Sequence, residues 1–174
     1  MKRLNKKNLN TPTSHIIKEP NWFDIKRWRT LLKYFKGGRL LDIGSFGSLV
    51  PKMVKKEYPQ AEIETLNWFS SIFPIQPYDY IVMGQVIEHL ENPEETIKEV
   101  SKMLKPKGIL ALSTPLKETM KGEVDGVHHI WSFSISDIRW LLRDFKEVVI
   151  EVIGSEFQPE YRYNFPHLVV FGFK

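Results

Sequence analysis

The stretch that decides the fold is "YDYIVMGQVIEHLENPEETIKEVSKMLKPKGILALSTP", residues 78–115. It opens on an apolar run, Tyr78–Gly84, and closes on another, "PKGILALSTP", 106–115. Between them, "NPEETIKEVSKMLK" (92–105) carries Ile97, Val100, Met103 and Leu104 at helical spacing. Asn92 stands where an N-cap belongs and Pro93 at the first helical position. Glu94 and Glu95 suit the positive end of the helix dipole. Strand, helix, strand in this order predicts two parallel neighbours joined by a crossover helix.

The alternation continues in both directions. "RLLDI" (39–43) reads as a strand, "LVPKMVKKEY" (49–58) as a helix that tolerates Pro51 in its first turn, and "AEIETLNW" (61–68) as a second strand. Downstream, "SFSISDIRWLLRDF" (132–145) reads as a helix capped by Ser134 or Ser136, followed by strands "KEVVIEVIG" (146–154) and "HLVVFGF" (167–173). Upstream, "NWFDIKRWRTLLKYFK" (21–36) has Ile25, Trp28, Leu32 and Phe35 at helical spacing, with Asn21 as a cap and Gly37-Gly38 as the stop. The fold class is α/β: a doubly wound, mostly parallel sheet with an antiparallel C-terminal strand.

A chain of 174 residues suits one domain, expected over residues 20–174. Apolar content of 42% and charged content of 26% are those of a globular protein. No apolar run is long enough to span a membrane, and the polar start "MKRLNKKNLNTPTSH" lacks the apolar stretch of a secretory signal. The absence of cysteine excludes disulfides and thiolate metal sites and fits a cytoplasmic setting. Residues 1–39 hold eleven Lys or Arg against two acids, a net of +9 in a chain whose total is +4. Residues 1–19 therefore read as a basic, flexible arm, and the basic face of 21–36 as a solvated surface able to touch an anionic membrane only weakly.

In open α/β sheets, ligands bind beyond the carboxyl ends of the strands, where strand order reverses. Three loops fall there: "DIGSFGS" (42–48), "NWFSS" (67–71) and "GQVIEHLENPEE" (84–95). The chain resembles the class I S-adenosylmethionine-dependent methyltransferases, and among them the broad group that includes quinone-biosynthesis enzymes. The resemblance rests on residues 78–115, on the opening "LLDIGS", and on "HHIWSFSISDIRWLL" (128–142), which places His129 on a family histidine. It implies a Rossmann-like fold, S-adenosylmethionine as cofactor, and in-line methyl transfer to a small molecule. By that resemblance Asp42, Gly44, Ser45, Phe46, Gly47, Asn67, Trp68, Gln85 and Val86 would line the cofactor. His89 would be a general base or a structural residue of a helix start. Glu88 and His128 would face substrate, and His129 would be a base or a loop scaffold. Adjacent His128 and His129 point to opposite faces of an extended chain and make a poor chelate, so no metal is expected.

The sequence departs from the family in three places. The loop reads Asp42-Ile43-Gly44-Ser45-Phe46-Gly47-Ser48, with Phe46 where a glycine is usual. Asn67 stands where an acid usually takes the ribose hydroxyls. Only residues 68–78 separate the second strand from the next, whereas a helix–strand–helix insert needs roughly thirty residues. The family's third strand is therefore absent, and aromatic residues 68–77 are expected to cover that sheet edge or to form a homodimer or partner surface. Two functions follow: a minimal methyltransferase, or a methyltransferase-like scaffold that pairs with a partner. A nicotinamide enzyme is disfavoured because "GSFG" is not G-x-G-x-x-G. No aromatic-basic platform supports nucleic-acid binding.

Overall fold

In a computed structural model the described residues are 1–3, 22–44, 49–67, 77–116, 129–154 and 166–174. The strands are β1 (Lys2–Arg3), β2 (Arg39–Ile43), β3 (Glu62–Leu66), β4 (Tyr78–Gly84), β5 (Leu104–Pro115), β6 (Trp131–Ser132), β7 (Glu147–Ile153) and β8 (His167–Phe173). The helices are α1 (Trp22–Leu31), α2 (Val50–Glu57), α3 (Pro93–Met103) and α4 (Ile135–Leu141), with a 3₁₀ turn at Ile87–His89.

A six-stranded sheet runs in the order β3-β2-β4-β5-β8-β7. Strand β2 is parallel to β3 on one side and to β4 on the other, with Ile43 opposite both Leu66 and Met83. Strand β4 is parallel to β5, and β8 is antiparallel to both β5 and β7. The expected doubly wound, mostly parallel sheet is thus present. Among the described residues β3 and β7 form its two edges.

Period-two alternation sorts the core into two layers. Leu41, Ile81, Met83, Leu110, Leu112, Leu168 and Val170 pack with Ile97 and Val100 of α3 and Ile138 of α4. Leu40, Tyr80, Val82, Ala111, Val169 and Phe171 pack with Phe23, Trp28 and Leu31 of α1 and Val50 and Val54 of α2. The Tyr80 hydroxyl donates to the Leu31 carbonyl at 2.6 Å and pins α1 to the sheet.

That bond explains one difference from the sequence reading, which carried the first helix to Lys36. The chain tightens after Leu31, where Lys33 N–H donates to Thr30 and Phe35 N–H to Leu32. A second difference concerns Asn92. It sits at the N-cap position of α3, but its side chain makes no capping bond. Its carbonyl accepts the first helical bond from the Thr96 N–H and a second from the Thr96 hydroxyl, each at 3.1 Å. Helix α4 is capped as expected: Ser134 and Asp137 form a reciprocal capping box. A third difference is Arg27. Read as part of a solvated basic face, it is buried on α1 and pairs with Asp24 at 2.9 Å.

At the chain's start, β1 pairs antiparallel with β6, Lys2 opposite Ser132 and Arg3 opposite Trp131. The rest of the expected basic arm, and the edge-covering stretch 68–76, lie outside the described residues.

Candidate functional site

The order of the strands marks where a ligand cleft is expected in such a sheet. The chain leaves β2 for β3 on one side and returns past β2 to β4 on the other, so strand order reverses between β2 and β4. Both strands end there in left-handed backbone: Gly44 at φ 79° and Gln85 at φ 59°. The Gly44 N–H donates to the Leu66 carbonyl at 2.7 Å, which ties the start of the first loop to β3. A residue without Cβ takes this conformation freely and lets a ligand approach the backbone. Asp42 is 2% exposed and lies on the same face of β2 as Leu40. Asn67 is exposed immediately after β3.

These residues fit an adenosyl cofactor at the first loop: a left-handed glycine opens the turn, with a buried carboxylate two residues before it. They fit less fully at the second loop, where the neutral amide of Asn67 replaces a carboxylate. Ser45, Phe46, Gly47, Trp68 and His128, also expected at the site, lie outside the described residues.

Gln85 turns its side chain toward the sheet. Its Nε2 donates to Ser113 Oγ at 3.2 Å, its Oε1 meets His167 Nε2 at 3.1 Å, and its backbone N–H donates to the Ser113 carbonyl at 2.9 Å. Val86 buries its side chain in the α3–α4 layer of the core, so of Val86 only the backbone is left for the cleft.

Past Val86 the 3₁₀ turn delivers Glu88 and His89. Glu88 is 1% exposed, and neither carboxylate oxygen has a hydrogen-bond partner among the described residues. The Thr114 hydroxyl stands beside it, outside hydrogen-bonding geometry and likewise unpartnered among them. Burial drives the Glu88 carboxyl above its ordinary range, against the weaker pull of His89, Thr114 and Arg27. Arg27 is itself pushed down by burial, offset by Asp24 and Glu88.

His129 comes from the other side. The Ile130 N–H donates to the Glu88 carbonyl at 2.7 Å, and the Trp131 indole donates to the Leu90 carbonyl at 2.8 Å. These bonds lay the 129–131 segment along the 3₁₀ turn. His129 Nδ1 is buried and has no partner among the described residues. Burial, then repulsion from His89 and His167, pushes the His129 imidazole down to about 3, so it is neutral near pH 7. Ligand atoms of Glu88, His89 and His129 lie within 4.8 Å of one another, so the three can hold one divalent cation. The sequence reading weighed only the adjacent pair His128–His129 and expected no metal.

The structure therefore places Gly44 and Gln85 at the ends of the neighbouring strands β2 and β4, with Asp42 two residues before Gly44, and brings Glu88, His89 and His129 together after β4. Sequence reasoning missed Asp24, Arg27, Ser113, Thr114 and His167. The usable signal was Asp24-x-x-Arg27, an i, i+3 ion pair inside an apolar stripe.

A family model described as a methyltransferase domain matches residues 22–151. A Mycobacterium tuberculosis protein named "Probable S-adenosylmethionine-dependent methyltransferase" is 28% identical over 112 residues, 63% of this chain and 41% of that protein. The match thus spans about two-fifths of the curated relative's length. The fold is shared with the plantazolicin methyltransferase BpumL, solved with S-adenosylhomocysteine and a triazolic desmethylPZN analog (TM-score 0.65, 12% identity, 91% of this chain and 87% of that one). It is shared equally with a Haloferax volcanii methyltransferase solved in complex with the activator Trm112 (TM-score 0.64, 13% identity, 87% and 88%). At these identities the structural matches show the fold alone. With the family match running from α1 into β7, across the strand ends that build the cleft, this chain belongs to the methyltransferase domain family.

Proposed function

We propose that the protein is an S-adenosylmethionine-dependent methyltransferase acting on a small hydroxyl-bearing molecule by in-line transfer. The observation that carries this reading is Glu88. A fully buried carboxylate with no hydrogen bond among the described residues is costly, and such costs persist where a ligand supplies the missing donors.

When bound, S-adenosylmethionine supplies an electrophilic methyl group on a sulfonium. Gly44 and the backbone after β4 would hold it beyond the ends of β2 and β4. Asp42 supports the first loop, and Asn67 takes a ribose hydroxyl. Glu88 accepts a donor from the acceptor molecule and fixes its orientation, which is where most of the acceleration arises. With the cofactor bound, the acceptor hydroxyl would sit between Glu88 and the His89–His129 pair, held in line with the methyl group that the cofactor would supply. The acceptor's proton, made strongly acidic by the transfer, passes to an imidazole of the His89–His129 pair. Glu88 and the neighbouring packing stabilise the resulting charge and keep water out. No helix among the described residues is long and apolar enough to cross a membrane.

A second reading, a scaffold that needs a partner to complete its site, is favoured by Asn67. Without a carboxylate the ribose contact is weaker. Calorimetric titration with S-adenosylmethionine and S-adenosylhomocysteine separates the two. The enzyme reading expects micromolar binding by the isolated chain. A folded chain with no binding at millimolar ligand would overturn it.

A further inference from the structure

We propose that His167 is a positioning residue that sets the path of the turn carrying Glu88 and His89, by holding Gln85 in its left-handed backbone conformation. The cofactor arm of the argument rests on the methyltransferase reading above. The geometric arm does not.

Gln85 is one of two non-glycine residues with positive φ among the described residues, the other being Lys107 within β5, where its register against β4 shifts. Glutamine gains nothing intrinsic there, unlike glycine or asparagine. The conformation persists where surroundings over-determine it, and such strain gathers at functional sites. Three contacts do the holding: two to Ser113, through backbone and side chain, and one to His167 Nε2. Ser113 sits in a central strand and holds one end of the amide. His167 holds the other end and comes from the first residue of β8, outside the region matched by the family model. His167 is 7% exposed, and its ring lies 5.1 Å from that of Phe23 on α1, at 51°. It stands opposite Pro115 on β5 and Ile153 on β7. A residue so enclosed has little room to turn, and its Nε2 meets the Gln85 amide.

The consequence runs forward along the chain. Gln85 Cα fixes where Val86 enters the core. Val86 accepts from the His89 N–H at 2.9 Å to close the 3₁₀ turn. A Gln85 released toward an ordinary negative φ swings this turn away from the cleft, and Glu88 and His89 go with it.

The test uses the full chain. His167→Phe keeps an aromatic ring against Phe23 and removes the nitrogen. His167→Gln restores a donor amide. In the ligand-free protein, hydrogen exchange at the Gln85 and His89 amides should accelerate in His167→Phe, while amides of β3 and α2 keep wild-type protection. S-adenosylhomocysteine should bind about tenfold more weakly to His167→Phe, as one lost buried hydrogen bond implies, and His167→Gln should recover most of it. In the Gln85→Gly background, where left-handed backbone needs no holding, His167→Phe should have less than about a twofold further effect. Unchanged exchange at Gln85 and His89 would overturn the proposal, as would the same loss of affinity in the Gln85→Gly background. A wild-type chain that fails to bind S-adenosylhomocysteine would instead sink the methyltransferase reading, and the exchange measurement would still decide the role of His167.

Discussion

The rings of His89 and His129 meet nearly edge to face, with centroids 4.8 Å apart and planes at 67°, although they arrive on separate loops. Two cations cannot share that space cheaply. The enclosed ring, His129, is the one held neutral, at about 3. A histidine whose folded pKa lies below its unfolded value of about 6.5 contributes stability that is intact above 6.5 and lost as pH falls toward 3. Replacing His129→Phe should flatten the fall in Tm between pH 7 and pH 4. An unchanged slope would show that His129 is protonated in the fold.

Glu88 has the opposite sign. Its folded pKa is raised by burial, so its contribution to stability is present below the unfolded carboxyl pKa and lost as pH rises through the folded value. Glu88→Gln removes the buried ionisable group and should stabilise the chain by about 1–3 kcal/mol at pH 7, with the gain vanishing near pH 4. Methyl transfer should fall by at least about a hundredfold, as loss of a positioned charged group implies. Chemical denaturation across pH, beside an activity assay, reads both.

Helix α4 depends on its capping box. Burial alone would raise the Asp137 carboxyl, but the Met1 ammonium and the Ser134 donors outweigh it and hold it at about 2. That stability is present above the usual aspartate pKa and drains away as pH falls toward 2. Ser134→Ala should cost about 1 kcal/mol at pH 7, measured as a shift in urea midpoint at constant slope.

Gly38 lies at the far end of the sheet from the cleft. At φ +93°, a Cβ there would come within 2.5 Å of Asp79 Oδ2. That oxygen accepts from the Arg39 N–H at 2.8 Å and from Lys105 Nζ at 2.7 Å. Gly38→Ala should therefore destabilise by about 2 kcal/mol or more while cofactor affinity per folded molecule stays constant.

Much of this fold is legible because it is local. "RLLDI", "YDYIVMG" and "HLVVFGF" coincide with β2, β4 and β8, since each apolar run must be buried on both faces. The Ser134–Asp137 cap is legible for the same reason. Asn92 takes the N-cap position as read but makes no side-chain capping bond, because that bond is a matter of rotamer. Arg27 looked solvated because periodicity ranks an arginine as polar whatever its partner, and the Asp24 pair that lets it enter the core is a contact between side chains. The site was legible by halves. Gly44 lies in one local motif after β2, and Glu88 and His89 in another after β4. The meeting of His129 with His89, and of His167 with Gln85, depends on how distant strands stack, which no local pattern encodes.

Strand β7 precedes β8 in the chain, yet β8 lies between it and β5. A growing chain that has reached Ile153 therefore has no sheet position for β7, and β5 presents a bare edge. Both defects last until residues 167–173 leave the ribosome and slot between them. The C-terminal strand is thus a keystone in time as well as in space. During that interval the nascent chain exposes unpaired backbone, so chaperone demand should rise once β5 has emerged and fall abruptly once Phe173 emerges.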